Sequence, residues 1–347
     1  MTIQTRHIQP AIGLLLLLGP LFHRTVHAQQ QPHYTQYILN QYILNPALTG
    51  IENYTDIKLS HRHQWSGLQG SPVTTYFTVH APLGKADYRT TATSFDVPGQ
   101  NPRGQRYWES YTAAVPHHGI GAQVVNDVTG ALSHFNALLT YAYHIGISPR
   151  TSLSAGFGAG FSRFSLNSAK LNFGTTTVDP IVYSSGVLNK MTANFSAGLY
   201  LYAADYFIGL SAQQLAPARL SYTDNTISTT GQTVPHFFAT AGYRFLLDED
   251  FNLIPSLMLK YVSPLPVQPE LNIKLQYRDV LWLGTSARYK DGYAAMFGLK
   301  AGNALHIGYS YDRTTSSLNN YSTGSHELLL GFILGNKYSD ACPRNIW

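Results

Sequence analysis

The sequence predicts an all-β fold: a single-chain transmembrane outer-membrane β-barrel of about 14 antiparallel strands, behind a cleaved N-terminal signal peptide. Three observations predict it. Charged residues are only 12% of the chain, against about 25% in ordinary soluble proteins, while aromatics reach 13% with 24 tyrosines. Past Ala28 there is no apolar run of the roughly 18 residues that a spanning helix needs, which excludes a helical membrane protein. From about residue 54 to the end, short segments with a two-residue alternation follow one another without an amphipathic helix of three turns.

The chain opens with Arg6 and His7, an apolar run from Ala11 to Phe22, and Val26-His27-Ala28, the small-x-small ending that signal peptidase accepts. Residues 1–28 are therefore expected to be a leader, with the mature chain starting near Gln29. The run is too short for a membrane anchor. Residues 29–53 follow as a plug-like periplasmic segment with no clean alternation, in which Asn45-Pro46 and Gly50 carry turn chemistry. Such a segment suits packing into the periplasmic mouth of a barrel, with Tyr37, Tyr42 and Leu44 as anchors, or strand addition to another protein.

Residues 54–335 are expected to form the barrel, with strands near 54–64, 73–82, 119–127, 132–145, 151–164, 192–204, 205–214, 235–247, 252–262, 268–278, 280–289, 293–301, 303–312 and 325–334. Residues 336–347 are expected to be a periplasmic tail. Alternation is clearest late in the chain. Leu305, Ile307, Tyr309 and Tyr311 share one face, with His306, Gly308 and Ser310 on the other. Likewise Leu281, Leu283, Ala287 and Tyr289 lie opposite Gly284, Ser286 and Arg288, an arginine that belongs in a wet interior and not against lipid.

The connections give a second test, because such barrels have tight periplasmic turns and longer outer loops. Connections after even strands are tight: Ala204-Asp205, Asp248-Glu249-Asp250, Arg278-Asp279 and Gly302-Asn303. Those at 165–191, 215–234 and 313–324, after odd strands, are long and polar. An even count places both termini in the periplasm. The long segment 83–118, with Pro98, Pro102 and Pro116, breaks the rule: either it is a periplasmic element used for docking, or the strand register differs there. A pair of soluble β-sandwiches gives similar strand spacing but explains neither the low charge nor the loop asymmetry.

The residues offer little chemistry. Cys342 is the only cysteine, so no internal disulfide forms, and the net charge of +5 is not gathered into the Lys/Arg block that nucleic acid requires. His61 and His63 share a strand face but lack a third ligand, and read as polar residues of the lumen face or rim. His117 and His118 read as part of a connection. Gly156, Gly158 and Gly160 alternate with Phe157, Ala159 and Phe161 as a small-residue strand face, not as a nucleotide loop. Glu109, Glu270 and Glu327 form no evident catalytic pair, and no nucleophile motif appears. The chain is not expected to be an enzyme, and no cofactor or metal is implied.

Two motifs carry a resemblance. The stretch QQQPHYTQYILNQYILNPALTG contains Gln36, Tyr37, Asn40, Asn45, Pro46, Ala47 and Gly50 in the pattern Q-Y-x-x-N-x-x-x-x-N-P-A-x-x-G. HRHQWSGLQGSPVTTYFTVHAPLG contains Gln64, Trp65, Gly67, Gly70 and Pro72 as Q-W-x-G-x-x-G-x-P. With HHGIGAQVVND, YDRTTSSLNNYSTGSHELLLGF and the late Cys-Pro-Arg, they resemble the PorP/SprF family of the Bacteroidetes type IX secretion system. The stretch near 86–112 and the ending ACPRNIW depart from the pattern. The resemblance implies an outer-membrane component in contact with lipid that binds, helps to export or anchors a secreted surface protein with a sorting C-terminal domain, or an adhesin of gliding motility. It also implies docking of periplasmic ring, motor or peptidoglycan-linked lipoproteins. Trp65 to Pro72 falls at the first outer turn, where Trp65 suits an interfacial aromatic belt. The alternative from another class is a passive pore for small solutes.

Overall fold

The computed structural model describes residues 32–84, 112–167, 170, 187–217, 219–220, 231–248, 250–277, 280–301 and 304–335. Fourteen strands form one closed antiparallel barrel. They are β1 (Thr55–His63), β2 (Val73–Leu83), β3 (His117–Thr129), β4 (Leu132–Ser148), β5 (Thr151–Asn167), β6 (Val187–Tyr202), β7 (Tyr206–Gln213), β8 (His236–Tyr243), β9 (Phe251–Val262), β10 (Gln268–Tyr277), β11 (Leu281–Arg288), β12 (Gly292–Ala301), β13 (Leu305–Thr314) and β14 (Ser325–Leu334). Consecutive strands pair, and β1 pairs with β14 from Thr55↔Leu334 to His63↔His326, so the ring has no free edge. Closure satisfies every ladder inside the wall, as a backbone in lipid requires.

Two-residue alternation divides the wall into an apolar outside and a mixed inside. On β5, Phe157 and Phe161 face out, while Ser152, Ser154, Ser162 and Phe164 are buried inside. Leu281 and Leu283 face out from β11, while Trp282 and Ser286 are buried inside. The exposed apolar residues recur on each side of the ring, from Leu59 and Phe77 to Leu257, Phe297 and Phe332. A ring of this kind is matched to hydrocarbon and not to water.

The strands fall on the expected segments, with informative differences. β4, β5 and β6 run 17, 17 and 16 residues, well beyond the ~9–11 needed to cross a bilayer. The β5–β6 pairing continues to Asn167↔Val187, shortening the connection expected at 165–191. Polar contacts hold this projecting hairpin, as Asn189 Oδ1 accepts from Arg163 Nη2 at 3.0 Å and from Ser165 Oγ at 2.5 Å. The connection at 215–234 contains a short ribbon, Arg219–Leu220 with Gly231–Gln232.

The histidines also sit differently from expectation. His117 and His118 begin β3 instead of belonging to a connection, because the ladder to β4 extends to His117↔His144. His117 is thus buried inside and His118 lies outside against Tyr141 and Tyr143. His61 and His63 flank inward-facing Arg62 and so face outward, beside Thr75 and Ser71. The leader, most of 83–118 with Glu109, the tail with Cys342, and the turns Arg278-Asp279 and Gly302-Asn303 lie outside the described residues.

The turns after β1, β5, β7 and β13 mark what we call the long-loop end. Tyr54 enters β1, and Leu334 leaves β14, at the opposite, short-turn end. There Gly50 has φ +73°, and a Cβ on it would lie 2.5 Å from the Gly119 backbone. Gly84 has nearly the same φ, +72°, and open space around it. Gly84→Ala should therefore cost about 1–2 kcal/mol for its left-handed backbone alone, and Gly50→Ala clearly more. The temperature at which the folded band is lost from unboiled SDS gels measures the difference; equal shifts would contradict the close packing assigned to Gly50.

Candidate functional site

The site begins with residues 32–54, which form no strand. Three short 3-10 turns, Thr35–Leu39, Gln41–Ile43 and Pro46–Leu48, shape this segment. Asn45 caps the third by accepting from the Ala47 amide at 2.9 Å, and Pro46 occupies the first helical position, where its fixed φ fits and its missing N–H is not needed.

The segment passes through the barrel from end to end. Near the long-loop end, the Thr35 hydroxyl donates to Asp312 on β13 at 2.7 Å and its amide to Glu327 on β14 at 2.8 Å. Midway, Asn272 on β10 donates to the Tyr37 hydroxyl, and Asn40 donates to Thr78 on β2 at 3.0 Å. Tyr42 lies 2.6 Å from the Thr140 hydroxyl on β4, and its carbonyl accepts from Gln123 on β3 at 2.6 Å. Asn45 donates to carbonyls of Leu199 and Leu210, on β6 and β7, at 3.1 and 3.3 Å. At the short-turn end, Gly50 N–H donates to His80, and the stacked rings of His117 and His144 reach the carbonyls of Gly50 and Thr49 at 3.1 and 2.9 Å.

Apolar packing completes the fit. Tyr34, Tyr37, Ile38, Ile43 and Leu44 bury themselves against Tyr76, Phe238, Met258, Trp282, Met296 and Leu329 of the wall. Tyr42, Ala47, Leu48 and Ile51 form a second cluster with Tyr200, Tyr202, Phe207 and Ile254. Small residues make room: a Cβ on Gly156 would strike the Pro46–Ala47 backbone, and one on Gly198 the Asn45 side chain. Of the inward glycines of β5, Gly156 thus serves close approach by the threaded segment. Where the sequence suggests a segment packed in the mouth near its entry to β1, the structure threads it along the whole interior, with His33 at the opposite end.

A charged knot holds that far end. Arg62 on β1 is 2% exposed and contacts Asp312 at 2.5 Å, Glu327 at 3.2 Å and the Thr35 hydroxyl at 2.7 Å. Ser60 donates to the second Glu327 oxygen at 3.0 Å. Arg288 on β11 reaches Asp312 at 3.2 Å and donates to His33 Nε2 at 2.6 Å. Glu270 lies 3.6 Å from that same nitrogen, but the nitrogen accepts from Arg288 and so carries no proton for the carboxylate. Glu270 is instead held by Ser286 at 2.6 Å.

Above the knot, the β1–β2 turn joins the connection before β14. Trp65 N–H donates to Ser325 at 3.0 Å, Ser66 N–H to Gly324 at 2.7 Å and Thr323 N–H back to Ser66 at 2.9 Å. Gln64 N–H donates to Pro72 at 2.9 Å, and Gly67 and Gly70 take φ of +96° and +75°. This turn, the start of the threaded segment and the strand ends enclose a cavity of about 620 Å³ lined by Trp65, Lys260, Pro269, Glu270, Arg288 and Tyr289, among others. Trp65 contributes to the wall of this cavity.

The family model described as "Type IX secretion system membrane protein PorP/SprF" matches residues 26–332. The chain belongs to the PorP/SprF family. It is an outer-membrane β-barrel in architecture, and its family places it in type IX secretion. No curated protein matches it. Solved structures similar in fold include the Acinetobacter baumannii outer membrane protein Omp33, at 7% identity and TM-score 0.44, covering 82% of this chain and 100% of that one. The Ralstonia pickettii toluene transporter TbuX matches at 10% identity and TM-score 0.45, with 86% and 92% covered. A Pseudomonas aeruginosa FadL homologue matches at 10% identity and TM-score 0.44, with 87% and 94% covered.

The PorP/SprF motif residues do not converge on one point. Gln36, Tyr37, Asn40, Asn45, Pro46 and Gly50 are spread along the interior, each against a different part of the wall. Gln64, Trp65, Gly67, Gly70 and Pro72 shape the rim turn. What joins the two motifs is the mouth cavity, where Gln64, Trp65 and Pro72 stand near Pro32 and His33. Sequence reasoning missed Thr35, Arg62 and Asp312, and took Glu327 for a scattered carboxylate. The available signal was positional: Arg62, Asp312 and Glu327 all occupy the inward phase of their strands, where an isolated charge needs a partner.

Arg62→Met should leave Glu327 buried without its cation and Asp312 with Arg288 alone, and destabilise the barrel by about 3–5 kcal/mol. Adding Glu327→Gln, which removes the carboxylate left alone, should recover much of that loss, read as the folded-band melting temperature. A single variant as stable as the unaltered protein would contradict the knot.

Proposed function

We propose that this PorP/SprF chain is an outer-membrane holder for a secreted surface protein of the type IX system, receiving its sorting C-terminal domain at the long-loop end. Tight turns inside and long loops outside are the rule for such barrels, so the long-loop end is assigned to the cell surface. The observation that carries the reading is the filled interior. With residues 32–54 hydrogen-bonded along its length, the lumen is occupied by the chain itself, which supports reading the two ends as the surfaces for partners. The role assigned is binding, not catalysis. Gln64 to Pro72 contribute by fixing the rim, and the motif residues from Gln36 to Gly50 by keeping the barrel closed. On the other side, the connection between β2 and β3 is the element we assign to periplasmic ring, motor or peptidoglycan-linked lipoproteins.

The passive pore is the competing reading, and the filled interior weighs against it. The test is affinity purification of the tagged protein from its host's outer membranes, with loop-deleted variants lacking 171–185, 221–230 or 315–324 beside it. One large surface protein should co-purify and be lost with at least one deletion. Recovery of no partner, together with steady conductance of the unaltered barrel in planar bilayers, would contradict the reading.

A further inference from the structure

The mouth cavity holds several charged groups, and most are committed. Arg288 is engaged by Asp312 and Asp291, Asp127 by Thr74, and one oxygen of Glu270 by Ser286, the other oxygen having no hydrogen bond among the described residues. Lys290 lies over the Tyr289 ring at 5.2 Å. Lys260 differs. It is 7% exposed, lines the cavity, and has no hydrogen-bond or ion-pair partner among the described residues. An ammonium on a side chain this largely buried, opening to the cavity without a contacting counter-charge, is a place where a ligand anion gains more than it does at the surface.

The rest of the cavity narrows the class of ligand. A phosphate calls for several convergent cations or amides, whereas here Lys260 is the one buried cation without a contacting partner among the described residues, and the neighbouring Glu270 and Asp291, which attract it from a distance, oppose a dianion. A singly charged carboxylate fits better. Trp65, Pro269, Tyr289 and Val267, the last half exposed, add apolar surface beside Lys260, and about 620 Å³ admits a few residues of extended peptide. We propose that the mouth cavity recognises a peptide carboxylate, with Lys260 receiving the charge and the Trp65, Pro269 and Tyr289 surfaces packing on the side chains next to it. This rests on the reading that the long-loop end receives a polypeptide, and deepens it by naming the chemistry. A carboxylate from a chain terminus and one from an Asp or Glu side chain present the same group.

The test uses the purified full-length barrel and three synthetic pentapeptide libraries: free C-terminal carboxylate, amidated terminus, and amidated terminus with an internal Asp. Binding to the first or third but not the second is expected, and tells the two sources apart. Lys260→Gln should weaken it roughly 10- to 100-fold and Lys260→Arg much less, since a bond to a charged group contributes about 1.5–3 kcal/mol. An unchanged folded-band melting temperature separates this from unfolding. Equal binding of amidated and free peptides, indifference to Lys260→Gln, no binding by any library, or displacement by millimolar inorganic phosphate would overturn the proposal. Co-purification of a surface protein equally with Lys260→Gln and the unaltered chain would sink it while leaving the holder role standing.

Discussion

Everything in this barrel depends on the need to satisfy its interior. A closed ring of fourteen strands pairs its backbone within itself, but its inward side chains still need partners, and large apolar ones stand among the polar majority. Tyr76, Phe238, Met258, Trp282, Met296 and Leu329 find theirs in the residues threaded between them. Wall and threaded segment are therefore one core.

That core has polar and charged parts with different tasks. Asn40, Tyr42 and Asn45 tie the segment to β2, β3, β4, β6 and β7, so a shift along the interior would break several bonds together. The bond of Tyr37 to Asn272 extends the tie to β10. Arg62, Asp312, Glu327 and Thr35 fix the far end at one place in the ring. Buried charges of this kind define register more than they add stability, because desolvation offsets most of their attraction. The result is a rigid frame on which the rim turn and mouth cavity are held in fixed relation.

Much of this was legible in the sequence. Alternation from Leu281 to Tyr289 and from Leu305 to Tyr311, low charge and the rhythm of the turns disclosed the strand count and the phase of most strands. The ends of β4 to β6 were not legible, because polar ends such as Ser165 to Asn167 look like loop once the apolar alternation fades. The path of residues 32–54 was not legible either. Turn chemistry at Asn45-Pro46 and Gly50 gives local shape, whereas the direction of threading depends on contacts with residues hundreds of positions away, Thr35 with Asp312 and Glu327 above all. Inward Trp282, Met258 and Phe238 were the overlooked hint, since a wet lumen has no use for them.

The central claim is that residues 32–54 lie inside the ring, bonded to its wall. Asn40 and Thr78 are hydrogen-bonded at 3.0 Å in mid-interior, so cysteines at both, in a Cys342→Ser background, test it most directly. In outer-membrane vesicles a short thiol-to-thiol reagent should join them efficiently, and a cysteine at outward-facing Phe77 should not replace Thr78. A folded barrel in which Asn40→Cys and Thr78→Cys stay unlinked, or link no better than the outward control, would contradict the account.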